Sequence, residues 1–156
     1  MRVHRLLTAK EKAQLRQAIE EVERHTSAEV CVIIVPSAGD PEAFARAYFD
    51  AVGIGKEGLD NGLLILVAVR ERTVRIEVGR GLGAVITPQV AQRILDEVIL
   101  PRFREGRYGE GLRSGVEAFG AILREHFPER PGVPGRPIPD IVDTTEPSRM
   151  KGLFGS

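Results

Sequence analysis

Residues 52–83 read VGIGKEGLDNGLLILVAVRERTVRIEVGRGLG, a stretch in which two glycine-rich loops flank a strongly apolar pair of strands. Gly53, Gly55, Gly58 and Gly62 precede the pair, and Gly79, Gly81 and Gly83 follow it. If LLILVAV and TVRIEV form a hairpin turning at residues 70–72, the start of the first strand lies beside the end of the second. Both loops then meet at one end of a sheet. Backbone bent by glycine approaches a ligand closely, so Asp60, Asn61, Glu77 and Arg80 become the candidate functional side chains, with Gly53, Gly55, Gly79 and Gly81 as loop backbone.

Upstream of this hairpin, Thr8 and Glu11 fit a capping box, and Leu15, Ile19 and Val22 supply an apolar stripe at helical spacing, with His25-Thr26-Ser27 ending the helix. EVCVIIV, residues 29–35, is apolar on both faces and therefore reads as a strand inside a sheet, not at its edge. Asp40-Pro41 opens a second helix with Phe44, Tyr48 and Val52 on one face. Residues 63–69 read as a second buried strand. TVRIEV alternates Val74, Ile76 and Val78 with Arg75 and Glu77, so this third strand has a wetter face and lies nearer an edge.

Downstream, Thr87-Pro88 starts a third helix that Pro101 is expected to end. A fourth covers residues 109–127, where Gly111 and Gly115 lower helix propensity by roughly 1 kcal/mol each and so imply tight packing of its backbone. Residues 128–156 are rich in proline and glycine without sustained periodicity and read as a flexible tail; its 150–154 end offers a docking segment less readily than a free terminus. The order helix, strand, helix, strand, strand, helix, helix predicts an α/β fold: a three-layer α/β/α sandwich with a small mixed sheet, formed by residues 1–127. Strands one and two should run parallel, joined through a helix, and strand three antiparallel to strand two. That places Ser27 and Glu29, at the beginning of strand one, beside the glycine loops.

Composition narrows the function. The 22 basic and 22 acidic residues cancel, which argues against nucleic acid as a partner. Cys31 stands alone in an apolar run, so the chain makes no internal disulfide and no multi-cysteine metal site, and no arginine follows the thiol as a cysteine phosphatase requires. No stretch approaches a membrane span and the amino terminus lacks a signal-peptide core, so the chain as written reads as cytoplasmic and monomeric; a domain cut from an exported or membrane-bound protein would read the same.

Two dinucleotide-like motifs fail on context. GIGKEG at 53–58 follows a helix and precedes a strand, the reverse of what a pyrophosphate at a helix amino terminus needs, and GRGLGA at 79–84 is separated from its helix by several residues. His4, His25 and His126 show no zinc spacing. The Asp60-Asn61 pair in a carbonyl-rich loop offers the hard oxygens that Ca²⁺ takes, although Asp-Asn-Gly on its own reads more readily as a turn leading into a strand. Arg80, between two glycines, suits a carboxylate or phosphate, or a structural tie within the loop.

GIGKEGLDNGLLILVAVRERTVRIEVGRGLGAVITPQVAQRIL, followed by ILPRFREGRYGEGLRSGVEAF, carries R-x-x-R-I-E-x-G-x-G-L and P-x-F-x-x-x-x-Y-x-x-G, and its DNGLLILVAV is similar to D/N-N-G-x-L-L-L-x-x-A. Over residues 8–127 the chain resembles the TPM domain family. The resemblance implies an α/β/α sandwich, Ca²⁺ or another divalent metal as the bound ion, and a role in assembly or maintenance of a protein partner, often membrane-associated. An acid phosphatase activity on phosphomonoesters is the alternative it implies, with Arg80 and Asp60 as weak catalytic candidates. The implied metal ligands are Asp60, Asn61, Glu77 and Glu29. The family's usual Leu-Thr-Asp reads Ile86-Thr87-Pro88 here, so one expected acid is missing.

Overall fold

A computed structural model of the chain describes residues 6–55, 59–127 and 140–145. Helix α1, Ala9–His25, starts where Thr8 Oγ1 accepts the Glu11 N–H and Glu11 returns a bond to the Thr8 N–H. Strand β1, Glu29–Val35, is buried throughout. Helix α2, Pro41–Val52, is capped by Asp40 and closed by Gly53 in the left-handed conformation, φ 73°. Strands β2, Gly62–Ala68, and β3, Thr73–Val78, form the antiparallel hairpin, while β1 and β2 pair in parallel from Glu29 opposite Gly62 to Val35 opposite Ala68. At the hairpin tip, the Glu71 carboxylate accepts Ser37 Oγ and the Ala38 and Gly39 N–H groups, tying the tip to the loop that leaves β1.

The sheet order is β3-β2-β1-β4, so β3 is an edge, as its alternation requires. The strand β4, Ile141–Asp143, pairs in parallel with β1 and corrects the reading of residues 128–156 as an unstructured tail. Ile141 is buried at 5% exposure, Asp140 O and the Thr144 N–H bond the β1 backbone, and Asp143 pairs with Lys12. A strand of three residues, with Ile141 and Val142 apolar and packed on opposite faces, is too short to display a periodicity in sequence. The remainder of 128–156, including the 150–154 end, lies outside the described residues, as do Lys56, Glu57 and Gly58 of the first glycine loop.

Two cores flank the sheet. Val30, Val32 and Ile34 of β1 with Leu63, Ile65 and Val67 of β2 face α1 and the carboxyl-terminal helices. Cys31, Ile33 and Val35 with Leu64, Leu66 and Ala68 face α2 through Ala45, Phe44 and Tyr48. Cys31 is fully buried, and burial pushes its thiol up to about 12, so it is an inert core residue.

Pro101 does not end the third helix. Helix α3, Pro88–Ile94, runs through a single π turn, Leu95–Ile99, into α4, Leu100–Arg104. The Leu100 N–H reaches back five residues to Leu95 O; the widened turn just ahead of Pro101 is the kind of bulge that relieves a proline ring from the preceding carbonyls. Helix α5, Tyr108–His126, lays Leu112, Val116, Phe119 and Leu123 on the sheet. Its glycines have the packing role their cost implied: a Cβ at Gly111 would lie 2.8 Å from the Phe103 ring and 3.1 Å from Ile99 O, and one at Gly115 would lie 2.7 Å from Ile99 Cδ1. Gly111→Leu is accordingly expected to destabilise by about 1–3 kcal/mol, read from the urea midpoint. Gly83→Ala, with φ −63° and only an ordinary contact to Arg80 O, serves as the control, within about 0.5 kcal/mol of wild type.

Candidate functional site

Three chain segments cross at the amino end of β1. Gly55, at φ 109°, donates its N–H to Glu29 Oε1 at 2.9 Å, which pins the first glycine loop to the base of β1. Glu29 N–H in turn donates to Asn61 O at 3.1 Å, and Asn61 Nδ2 donates to Ser27 O. The second loop docks on the first: Gly79 N–H reaches Gly62 O at 2.8 Å, and Gly81 N–H reaches Asp60 O at 2.9 Å. Close approach requires glycine here, because a Cβ at Gly79 or Gly81 would overlap the carbonyls of Asp60 and Leu59. The glycines therefore serve loop-on-loop packing, and both loops do meet at one end of the sheet.

The candidate side chains divide into two groups. Glu29 and Asn61, 5% and 2% exposed, are engaged in holding the loops together. Asp60 is exposed and sits at φ 49°, in the left-handed region that asparagine and aspartate enter most readily among non-glycine residues. Among the described residues its carboxylate has no partner, and no ion pair joins it to Arg80, which is exposed at the start of the 3₁₀ turn Arg80–Leu82. Glu77 lies half-buried on β3, on the face toward α2, beside Arg75, whose buried Nε has no hydrogen-bond partner. The two make no ion pair. Thr87 caps α3 through the Val90 N–H, and Pro88 occupies its first turn.

A further set of carboxylates on the other side of β1 escaped the sequence reading. Glu23 Oε2 accepts the Val30 N–H at 3.0 Å, so a side chain from α1 completes the β1 edge just before β4 begins to pair. Burial pushes Glu23 up to about 7 against the Val30 bond, with Asp140 and Glu29 adding repulsion. Burial, then the charge of Glu20, also raises Asp140. The missing signal is tertiary: Asp140 arrives from a segment more than a hundred residues away.

The chemistry available at the loop end is that of hard oxygens. Asp60, Glu77 and the loop carbonyls suit Ca²⁺ in donor type, although among the described residues no three acidic, histidine or cysteine side chains converge. Among the described residues the open cationic group nearby is Arg80.

An α/β/α domain with a mixed four-stranded sheet and glycine-crossed loops at one end defines the class of protein. The TPM domain model matches residues 3–122, and the chain belongs to that family. Among solved structures, it is similar to the BA42 protein of the psychrophilic bacterium Bizionia argentinensis, at 28% identity and a TM-score of 0.76, over 88% of this chain and 94% of that one. It is also similar to the N-terminal domain of a P. gingivalis protein, at 31% identity and a TM-score of 0.69, over 80% and 83% of the two chains. The N-terminal domain of the Corynebacterium glutamicum cg2496 protein, 15% identical with a TM-score of 0.61 over 80% and 78%, shares the fold. Comparison with curated proteins finds no match. Among the described residues no helix is long and apolar enough to cross a membrane.

Proposed function

We propose that the protein is a non-catalytic TPM domain that holds one Ca²⁺ at the glycine-loop end and acts in the assembly or maintenance of a partner protein. The observation that carries this reading is Asp60: an exposed, unpartnered carboxylate fixed in a left-handed backbone, its own carbonyl tied to the Gly81 N–H. Asp60 and loop carbonyls supply the ligands, Glu77 adds a second carboxylate from β3, and Glu29 and Asn61 act by holding the loops. Few carboxylates make a weak site, so the expected dissociation constant is about 10⁻⁴–10⁻³ M, the range of low-charge sites. Binding is favoured over phosphomonoester hydrolysis because, among the described residues, neither Arg80 nor Asp60 is hydrogen-bonded to a nucleophile or base.

Calorimetric titration of metal-free protein with Ca²⁺ tests the reading. Wild type is expected to give saturable heat that Asp60→Ala loses, with amide shifts confined to residues 53–62 and 77–83. Equal heats for the two proteins, or shifts centred elsewhere, refute the placement. Hydrolysis of an aryl phosphate that falls with Arg80→Ala would replace binding by the phosphatase alternative.

A further inference from the structure

At the carboxyl end of β2, away from the glycine loops, the hairpin tip and the α4–α5 corner enclose a cleft of about 540 Å³. Clefts of roughly 300–1,000 Å³ hold small-molecule ligands, and open α/β sheets bind theirs at the carboxyl ends of strands. Val69, Leu100, Phe103 and Tyr108 supply apolar walls, the last two rings packing edge to face with centroids 5.1 Å apart. Among the described residues Val69, 36% exposed, is the one large aliphatic or aromatic side chain left open to solvent.

Arg72 and Arg104 stand exposed on the lining. Neither guanidinium is paired with an acid among the described residues, and the Tyr108 hydroxyl has no hydrogen-bond partner there. Among the described residues no aspartate or glutamate lines the cleft. Arg72 also holds φ 53°, a left-handed position at the end of the hairpin turn that glycine or asparagine would occupy with less strain. Three donors and no acidic acceptor around an apolar floor complement an anionic head on an apolar body.

We propose that this cleft binds a small organic monoanion with an apolar body, such as a medium-chain carboxylate, its head held by Arg72, Arg104 and Tyr108 and its chain lying along Val69, Leu100 and Phe103. The site is independent of the cation reading, so Asp60→Ala is expected to leave it unchanged.

Titration of the full chain with decanoate, below its micelle concentration and followed by amide shifts, tests the proposal against decanol and decylammonium. Saturable shifts at Val69, Phe103 and Tyr108 are expected with decanoate, binding about tenfold weaker with decanol, and none with decylammonium. Arg104→Ala and Arg72→Gly should each weaken decanoate binding about tenfold, the loss of one charge-assisted bond. Because glycine suits the backbone at position 72, Arg72→Gly should keep or raise the thermal midpoint, which separates lost binding from lost folding. Decanol binding as tightly as decanoate, shifts away from the cleft, no saturable shift, or sedimentation with phosphatidylglycerol vesicles without decanoate binding would each overturn it.

Discussion

Phe119→Ala is expected to lower the unfolding free energy by about 3–5 kcal/mol, a large share of the roughly 5–15 kcal/mol that holds a domain together. Among the described residues Phe119 is the largest side chain with no exposure, and it lies on the face of α5 that covers the sheet. The cost of such a truncation depends on whether neighbours can close the void. Here they are pinned, because α5 already touches the π turn at Gly115 and α1 at Gly120, where a Cβ would lie 2.6 Å from Val22 Cγ2. A helix at contact distance on both sides cannot move inward, so most of the cavity persists. Phe119→Leu, which keeps most of the volume, should cost under about 1.5 kcal/mol. Urea unfolding at constant m-value reads both; a loss under 1 kcal/mol for the alanine variant would show that this face of α5 is not anchored.

How far the fold was legible follows from where each signal resides. The hairpin, the helix caps and the edge position of β3 rest on contacts within a few residues, and the sequence carries them in Thr8 with Glu11, Asp40-Pro41 and the alternation of TVRIEV. The fourth strand rests on a contact across the whole chain. EVCVIIV did hold an indirect sign of it: a strand apolar on both faces belongs inside a sheet, yet the three strands recognised would have left β1 at an edge. Its missing neighbour, Ile141–Asp143, sits in a proline- and glycine-rich stretch and pairs over only three residues. Pro101 misled for a different reason, since one π turn upstream changes what a proline must avoid.

The candidate site was legible as a location and less so in its roles. The hairpin pairing placed both loops at one end, and the hydrogen bonds from Gly55 to Glu29, Gly79 to Gly62 and Gly81 to Asp60 draw them together. Residue type alone could not separate Asp60, which stays open, from Glu29 and Asn61, which are engaged in loop closure. That division depends on burial, and burial depends on the β1 base being enclosed. Likewise Arg72 reads in sequence as an ordinary turn arginine. Its interest arises only when the hairpin tip comes to face α4 and Tyr108.

The strongest pH effect is expected from Glu23. Burial raises it from 4.5 to about 7, opposed by the Val30 N–H and reinforced by Asp140 and Glu29. Around the pair stand Arg16 and Glu20 on α1, with Glu29 on β1, so one cation faces several acids. In the unfolded chain Glu23 ionises near 4.5; in the fold it keeps its proton to about 7. Between these values the folded state binds more protons, so unfolding free energy falls as pH rises. The stabilisation is complete below pH 4.5 and lost by about pH 7. At about 1.4 kcal/mol per pKa unit, its size is on the order of 3–4 kcal/mol, shared with Asp140. Glu23→Gln keeps an acceptor for the Val30 N–H, cannot ionise, and offers Asp140 a donor. It should flatten the profile between pH 5 and 8 and exceed wild type in stability at pH 8. Urea unfolding at pH 5, 6.5 and 8 measures both proteins. Wild-type stability that rises across this window would mean that the β1 edge is completed by a charged Glu23, and that the carboxyl pair at the start of β4 shares no proton.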